Sequence, residues 1–108
     1  MYVLIHLSTQ GPALQLKEPD DLRALKVIVR GRAPDRARVA DALSSVGCLD
    51  RAGNAMLGID ELKRLAGPLG EDREWSDAFD RMVAYARSKG WVVGTDRLKA
   101  HCEWTDTD

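Results

Sequence analysis

The feature that most constrains the fold is an apolar stripe at helical spacing in the second half of the chain. Its members fall at i, i+4, i+7, i+8 and i+11: Trp75, Phe79, Met82, Val83 and Ala86. This spacing puts all five side chains on one face of an α-helix. Acidic residues in the first turn and basic residues in the last favour the helix dipole, and Gly90 follows as a stop. The pattern predicts a helix over residues 72–89 with one buried face.

The residues after this helix predict a β-hairpin over 91–104. A short apolar segment, 91–93, is followed by a turn at 94–97 and then by a strand with strict alternation. Leu98, Ala100, Cys102 and Trp104 face one way, whereas Lys99, His101 and Glu103 face the other. The hairpin therefore has an apolar side to pack against the long helix.

Shorter elements are predicted upstream of the long helix. The sequence predicts a helix over residues 34–46, which begins at Pro34 and is stopped by Gly47. It predicts a second helix over residues 60–66. An extended piece, 56–59, lies between them.

The first thirty residues have the composition of β-strands. Residues 2–7 form a nearly continuous apolar run, and Gly11-Pro12 signals a turn before a partly alternating segment at 13–17. Residues 22–25 suit a single helical turn, and residues 26–30 are rich in β-branched side chains and end at Gly31. We expect two or three strands here.

The order of helices and hairpin from about residue 34 to residue 104 resembles that of a winged-helix domain. The resemblance is carried by residues 59–66 and by residues 85–92, Tyr-Ala-Arg-Ser-Lys-Gly-Trp-Val, which look like the end of a recognition helix running into a wing. It implies a three-helix core with a C-terminal hairpin. In the DNA-binding members of such a family, the long helix lies in the major groove.

The fold expected from the sequence is therefore α+β, in one domain of 108 residues. Residues 1–31 would form a β-rich N-terminal part, residues 32–104 a winged-helix-like part, and residues 105–108 a frayed tail. The predicted core consists of large apolar side chains: Leu43, Leu62, Leu65, Trp75, Phe79, Met82, Val83, Trp91 and Trp104.

Composition places the chain among soluble globular domains. Hydrophobic residues make up 44% and charged residues 31% of the sequence, and no apolar run approaches the roughly 20 residues of a membrane span. The N-terminus has neither the basic leader nor the cleavage site of a signal peptide. We expect a cytoplasmic protein with no membrane partner.

The charge distribution argues against a general nucleic-acid-binding surface. The net charge is −1; residues 1–47 hold seven basic and five acidic side chains (+2), and residues 48–108 hold nine and twelve (−3). The predicted long helix carries four carboxylates in its N-terminal half: Asp72, Glu74, Asp77 and Asp80. Because phosphate charge dominates nucleic-acid affinity, these carboxylates disfavour DNA binding through this helix.

One basic cluster is the candidate anion-binding site. Arg30, Arg32, Arg36 and Arg38 lie within nine residues, and the predicted wing adds Arg97 and Lys99. Guanidinium groups at this density could grip an anion, a nucleic-acid backbone or an acidic partner surface. The competing interpretation is a solvated surface that is partly neutralised by nearby aspartates.

No motif specifies a reaction, a metal or a cofactor. Cys48 and Cys102 read as two reduced thiols, and no zinc-ligand spacing is present. Residues 50–61 resemble an EF-hand loop, but Ala52 and Ala55 stand where a carboxylate and a glycine are needed, which favours a plain turn. Phosphate-binding glycine loops and nucleophile elbows are missing. No catalytic residue, metal or cofactor is predicted.

Three classes of function remain open. The first is a non-enzymatic interaction module that binds a protein partner or itself, with the apolar N-terminal strand pairing edge to edge in a homodimer. The second is a nucleic-acid-binding regulator that uses the arginine cluster and the wing. The third is a small enzyme or the accessory subunit of one.

Overall fold

A curled, mixed sheet of seven strands dominates the structure, a computed structural model that describes residues 1–8, 11–31 and 36–105. The strands are β1 (Tyr2–Ser8), β2 (Gly11–Lys17), β3 (Lys26–Gly31), β4 (Gly47–Leu49), β5 (Ala55–Gly58), β6 (Val92–Val93) and β7 (Arg97–Thr105). The helices are α1 (Arg36–Leu43), α2 (Ile59–Leu65) and α3 (Arg73–Ser88), with a 3-10 helix at Gly67–Glu71.

Strand β7 joins the two halves of the sheet, whose order is β2-β1-β3-β7-β5-β4. Its C-terminal half runs parallel to β3, with Lys26 opposite His101 and Arg30 opposite Thr105. Its N-terminal half pairs antiparallel with β5 and also with β6. This nine-residue strand, with its three partner strands, thus joins β1–β3 to β4–β6 in one sheet.

One face of the sheet is buried under the helices, as the alternation along each strand requires. The core comes from the inward positions of the strands together with the apolar stripes of α1 and α3. Its largest fully buried side chains are Val3, Ile5, Val27, Val29, Val39, Leu43, Leu57, Leu62 and Phe79.

Helix α3 confirms the prediction for residues 72–89 almost to its ends. Asp72 caps it, because its carboxylate accepts a hydrogen bond from the Trp75 backbone N–H at 3.0 Å. The Trp75 ring stacks on Phe79 with centroids 5.1 Å apart, and its indole Nε1 donates to the Pro19 carbonyl at 2.8 Å. Helix α3 is therefore tied both to the core and to the segment that follows β2.

The prediction of a winged-helix three-helix core is wrong. A winged-helix core would bury its helices against one another, whereas here the helices cover one face of a sheet to which residues 1–31 contribute three of the seven strands. The predicted hairpin exists as β6 and β7, but β7 continues beyond it to pair with β3. The two parts predicted at 1–31 and 32–104 therefore share one sheet and one core.

Several element boundaries also differ from the prediction. Helix α1 ends at Leu43, and Gly47, expected as a helix stop, begins strand β4. Residues 22–25 form a turn and an extended segment instead of a helical turn. Thr105, expected in a frayed tail, ends β7 and donates its hydroxyl to the Val29 carbonyl at 2.9 Å. The rest of that predicted tail, and the predicted helix start at Pro34, lie outside the described residues.

Most of the predicted core residues are buried, but two tryptophans are not. Trp75, Phe79, Val83, Leu43 and Leu62 are buried, and Leu65 and Met82 pack against them partly buried. Trp91 is 49% exposed and Trp104 is 39% exposed. Trp91 precedes β6 and Trp104 lies near the end of β7, so apolar character alone does not place either ring in the core. Within the described residues, no helix is long and apolar enough to cross a membrane.

Strands β1 and β3 approach each other closely at Gly31. Its φ is +138°, and a Cβ at this position would fall against the Leu7 carbonyl oxygen of the paired strand. Gly53 also has a positive φ (+88°), but a Cβ there would meet open space. We expect Gly31→Ala to lower the free energy of unfolding by about 2–4 kcal/mol, because it adds a backbone clash to the strain.

The matched variant, Gly53→Ala, should cost only the left-handed conformation, about 1–2 kcal/mol. Urea denaturation followed by circular dichroism measures both changes. Equal losses in the two variants would contradict the close β1–β3 approach.

Candidate functional site

The candidate functional site is the face of the sheet opposite the helices, here called the open face. The strand registers place on it the side chains that alternate with the buried ones. These are Tyr2, Leu4, His6, Ala13, Gln15, Lys17, Lys26, Ile28, Arg30, Cys48, Met56, Val93, Arg97, Lys99, His101 and Glu103. Helices α1, α2 and α3 bury their apolar side chains in the core on the other side.

The open face is strongly basic, although the chain as a whole is not. Five lysines and arginines stand at its described strand positions against one carboxylate, Glu103: Lys17, Lys26, Arg30, Arg97 and Lys99. Asp50, in the turn between β4 and β5, lies near Lys99. Glu103 pairs with Lys26 at 3.4 Å, and both side chains are nearly half exposed. Such a surface ion pair contributes at most about 1 kcal/mol, so it leaves most of the positive potential available to a ligand.

Apolar side chains lie among these cations. Tyr2, Leu4 and Ile28 are half-buried neighbours on β1 and β3, since Leu4 stands opposite Ile28 and Tyr2 opposite Lys26. On β5, Met56 lies between Lys99 and Cys48 in one cross-strand row. The open face thus alternates charge with flat apolar surface, a composition suited to a ligand with both anionic and apolar parts.

Arg97 lies next to the exposed thiol on this face. Its guanidinium Nη1 donates to Cys48 Sγ at 3.0 Å, because the β4–β5–β7 registers bring the two side chains together across β5. Cys102, by contrast, is on the inward side of β7, and burial raises the pKa of its thiol.

The residues predicted as an anion site divide between two surfaces. Arg30, Arg97 and Lys99 lie on the open face. Arg36 and Arg38 are exposed on α1, which packs against the other side of the sheet, and Arg36 Nη2 donates to the Asp50 carbonyl at 2.7 Å. Arg32 lies outside the described residues. The arginines that are close in sequence therefore do not form one site.

Two cations of the open face, Lys17 and Lys26, were missed by the sequence interpretation. Both stand at strand ends, opposite Tyr2 on its two neighbouring strands. The partial alternation of residues 13–17 and the β-branched run 26–30 did predict the strands that carry them. The missing information was the register, which decides that the outward positions of these strands share a face.

Only the first part of the EF-hand-like segment, residues 50–54, is the turn that its sequence favoured; the rest forms β5 and the start of α2. The Asp50 carboxylate accepts hydrogen bonds from the Asn54 backbone N–H at 2.9 Å and from its side chain at 3.4 Å. The Asn54 backbone bond is the main cause that holds the pKa of Asp50 below its usual range, and the charge of Lys99 acts in the same direction. In the described part of the chain, no three His, Cys, Asp or Glu side chains gather in a group that could hold a metal ion.

Comparisons with known proteins provide no relative for this chain. No protein-family model, curated protein or solved structure matches it. The winged-helix resemblance therefore has no support from a related sequence or fold, and function has to be argued from the surfaces themselves.

The two thiols should report which face of the sheet is open. In native protein at pH 7.5, we expect iodoacetamide to alkylate Cys48 at least about tenfold faster than Cys102. The reason is that a buried thiol whose pKa is raised holds little thiolate. Mass spectrometry of peptides over a time course measures both rates, with urea-unfolded protein as the control. Equal alkylation rates in the native protein would contradict the placement of Cys48 on the open face and of Cys102 on the buried side of β7.

Proposed function

We propose that the protein is a non-enzymatic binding module whose open face binds single-stranded nucleic acid. The observation that carries the proposal is the excess of five cationic side chains over one carboxylate at the described strand positions of that face. These charges come from three strands, β2, β3 and β7, and β7 lies far from the other two in sequence. No local run of basic residues in the sequence therefore predicts the surface that they form together.

Phosphate contacts are the first support for this proposal. Lysine and arginine side chains that neutralise phosphates release condensed counterions, which supplies most of the affinity of sequence-independent binding. Along the open face the cations extend from Lys17 on β2, through β3, to Arg97 on β7. A flexible backbone can follow such a curled track more closely than a stiff duplex can.

The interleaved apolar side chains are the second support. Single strands present unstacked bases that pack on aromatic and apolar groups, whereas a duplex hides its base faces. Tyr2, Leu4 and Ile28 provide such a surface between Lys17 and Arg30. A purely electrostatic surface would not need apolar side chains at these outward positions.

The acidic side chains of α3 do not oppose this mode of binding. Helix α3 buries its apolar stripe on the inward side of the sheet, so its carboxylates lie on the far side from the open face. Asp80 pairs with Lys63 at 2.8 Å, and Asp72 caps the helix. In the sequence analysis, these carboxylates disfavoured DNA binding through α3 as a recognition helix. The surface proposed here is the open face, so that argument does not apply to it.

The alternative is that the open face binds an acidic protein partner.

The homodimer expected from the N-terminal strand loses its basis, since β1 is paired on both sides, by β2 and by β3. Among the described strands, the sheet edges are instead β2, which contains Pro12, the three-residue β4 and the two-residue β6. Proline and short length both weaken an edge for strand addition.

The salt dependence of binding tests the open face directly. For a fluorescent 20-nucleotide single strand of mixed sequence, we expect Arg30→Gln/Lys99→Gln to weaken binding at 50 mM salt. The slope of log K against log salt should become shallower by about 1.4, that is two phosphate contacts at roughly 0.7 each. Fluorescence anisotropy at four salt concentrations measures it.

The matched control is Arg73→Gln/Arg81→Gln, which removes the same charge from the exposed surface of α3. It should leave the slope of the original protein unchanged. Equal changes in both double variants would mean that only net charge matters, and no binding at 50 mM salt would overturn the proposal. Binding of an acidic polypeptide such as poly-glutamate in preference to the single strand would favour the acidic protein partner.

A bound strand should also protect the thiol of the open face. We expect saturating single strand to slow the iodoacetamide alkylation of Cys48 several-fold, because Cys48 lies beside Arg97 and Met56 on that face. Alkylation of Cys102 should not change, and an equal concentration of free nucleotide should not protect. Binding without protection of Cys48 would place the strand elsewhere on the molecule.

A further inference from the structure

A groove with a volume of about 780 Å³ lies where strands β3 and β6 begin. It is separate from the apolar patch that Tyr2, Leu4 and Ile28 form on the open face. Both strands pair along the same side of β7, β6 with Arg97–Leu98 and β3 from His101 onward. The two strands therefore meet end to end opposite residues 99–100, and the segments that precede them diverge and leave the groove between them.

The walls of the groove are mostly apolar and partly aromatic. Leu22 and Leu25 come from the segment before β3, and Met82 and Tyr85 come from the last turns of α3. Trp91 comes from the residue that precedes β6. The Tyr85 and Trp91 rings meet edge to face with centroids 6.0 Å apart. Pockets of a few hundred cubic ångströms with such walls suit small organic ligands.

Trp91 is held in place although its ring remains exposed. Its backbone N–H donates to the Ala86 carbonyl of α3, and its carbonyl accepts from the Lys99 N–H of β7, both at 2.9 Å. The ring is nevertheless 49% exposed, and the neighbouring Tyr85 ring is 58% exposed. The Trp91 backbone is therefore fixed, and the two rings, in edge contact with each other, offer aromatic surface to a flat apolar group.

The charged side chains that line the groove are Lys99 and Arg23, and His101 adds a polar ring. Among the described residues, no aspartate or glutamate lines it. Arg23 is engaged by Asp21 at 3.2 Å outside the groove, and Asp50 lies near Lys99. Lys99 and His101 lie two residues apart on β7 and therefore on the same side of the strand, where they provide the donors for one anionic group.

We propose that this groove binds a small aromatic carboxylate, its ring system against Trp91, Tyr85 and Met82 and its carboxylate toward Lys99 and His101. Charge complementarity selects the class, because the apolar walls lead to Lys99 and no carboxylate lines the groove among the described residues. A neutral aromatic ligand would gain the ring contacts alone, without a charge-assisted hydrogen bond from Lys99.

The experiment compares 2-naphthylacetate with 2-naphthylacetamide, which has nearly the same shape and no charge. Each is titrated into the full chain labelled with ¹⁵N, and the three tryptophan indole N–H signals are followed. We expect naphthylacetate to shift the Trp91 signal and to bind about tenfold more tightly than the amide, the factor that one charge-assisted hydrogen bond provides. The signal of Trp75, whose indole donates to Pro19, and the signal of Trp104 should stay in place.

Variants locate the contact without disturbing the core. Tyr85→Ala, at an exposed position, should weaken naphthylacetate binding several-fold, whereas Trp104→Ala, an exposed aromatic outside the groove, should leave it unchanged. An unmoved Trp91 signal would overturn the proposal, as would shifts of all three indoles. Equal affinity for acid and amide would overturn the assignment of a carboxylate.

Discussion

The two-sided pairing of β7 is the constraint on which the rest of the structure depends. This strand pairs with β3 on one side for its C-terminal half, and with β5 and β6 for its N-terminal half. Its inward residues Leu98, Ala100 and Cys102 close the core over α3, and its outward residues supply the cations of the open face. Without β7, the strands of residues 1–31 and the hairpin β4–β5 would have no common sheet. The groove beside Trp91 also exists only because β3 and β6 share one edge of β7 and leave a gap.

Local periodicity predicted the elements well, and long-range pairing was the part that it could not provide. The stripe from Trp75 to Ala86 predicted α3, and the alternation from Leu98 to Trp104 predicted β7, because both patterns follow from helix and strand geometry alone. Gly47 shows the limit. A glycine after an apolar helix predicts a helix stop, but α1 already ends at Leu43. Gly47 instead allows close approach to β5, since a Cβ there would fall against the Met56 carbonyl oxygen. Glycine suits both roles, so the sequence could not distinguish the start of β4 from a helix end.

The candidate site was predictable only in part, for a related reason. Arg30, Arg97 and Lys99 were identified from sequence, but they were grouped with arginines that the fold places on α1. Nearness in sequence is a poor guide on either side of a strand-to-helix connection, because the chain changes layers there. The parallel register of β3 and β7, by contrast, joins positions more than seventy residues apart, such as Lys26 and Glu103. Likewise, apolar character predicted Trp91 as a core residue and could not show that its ring stays about half exposed.

The net charge of −1 is therefore a weak guide to what this chain binds. A ligand on the open face responds to charges within about one Debye length, roughly 10 Å at 0.1 M salt. The molecule measures 20 Å along its shortest axis, about two such lengths. Charges on the outer side of the helix layer are screened from the open face at physiological salt, and the carboxylates of α3 fall into this class. At low salt the Debye length grows to the size of the whole molecule, and the two surfaces begin to act together. The open face thus behaves as a basic surface under the conditions of a cell, although the chain as a whole is slightly acidic.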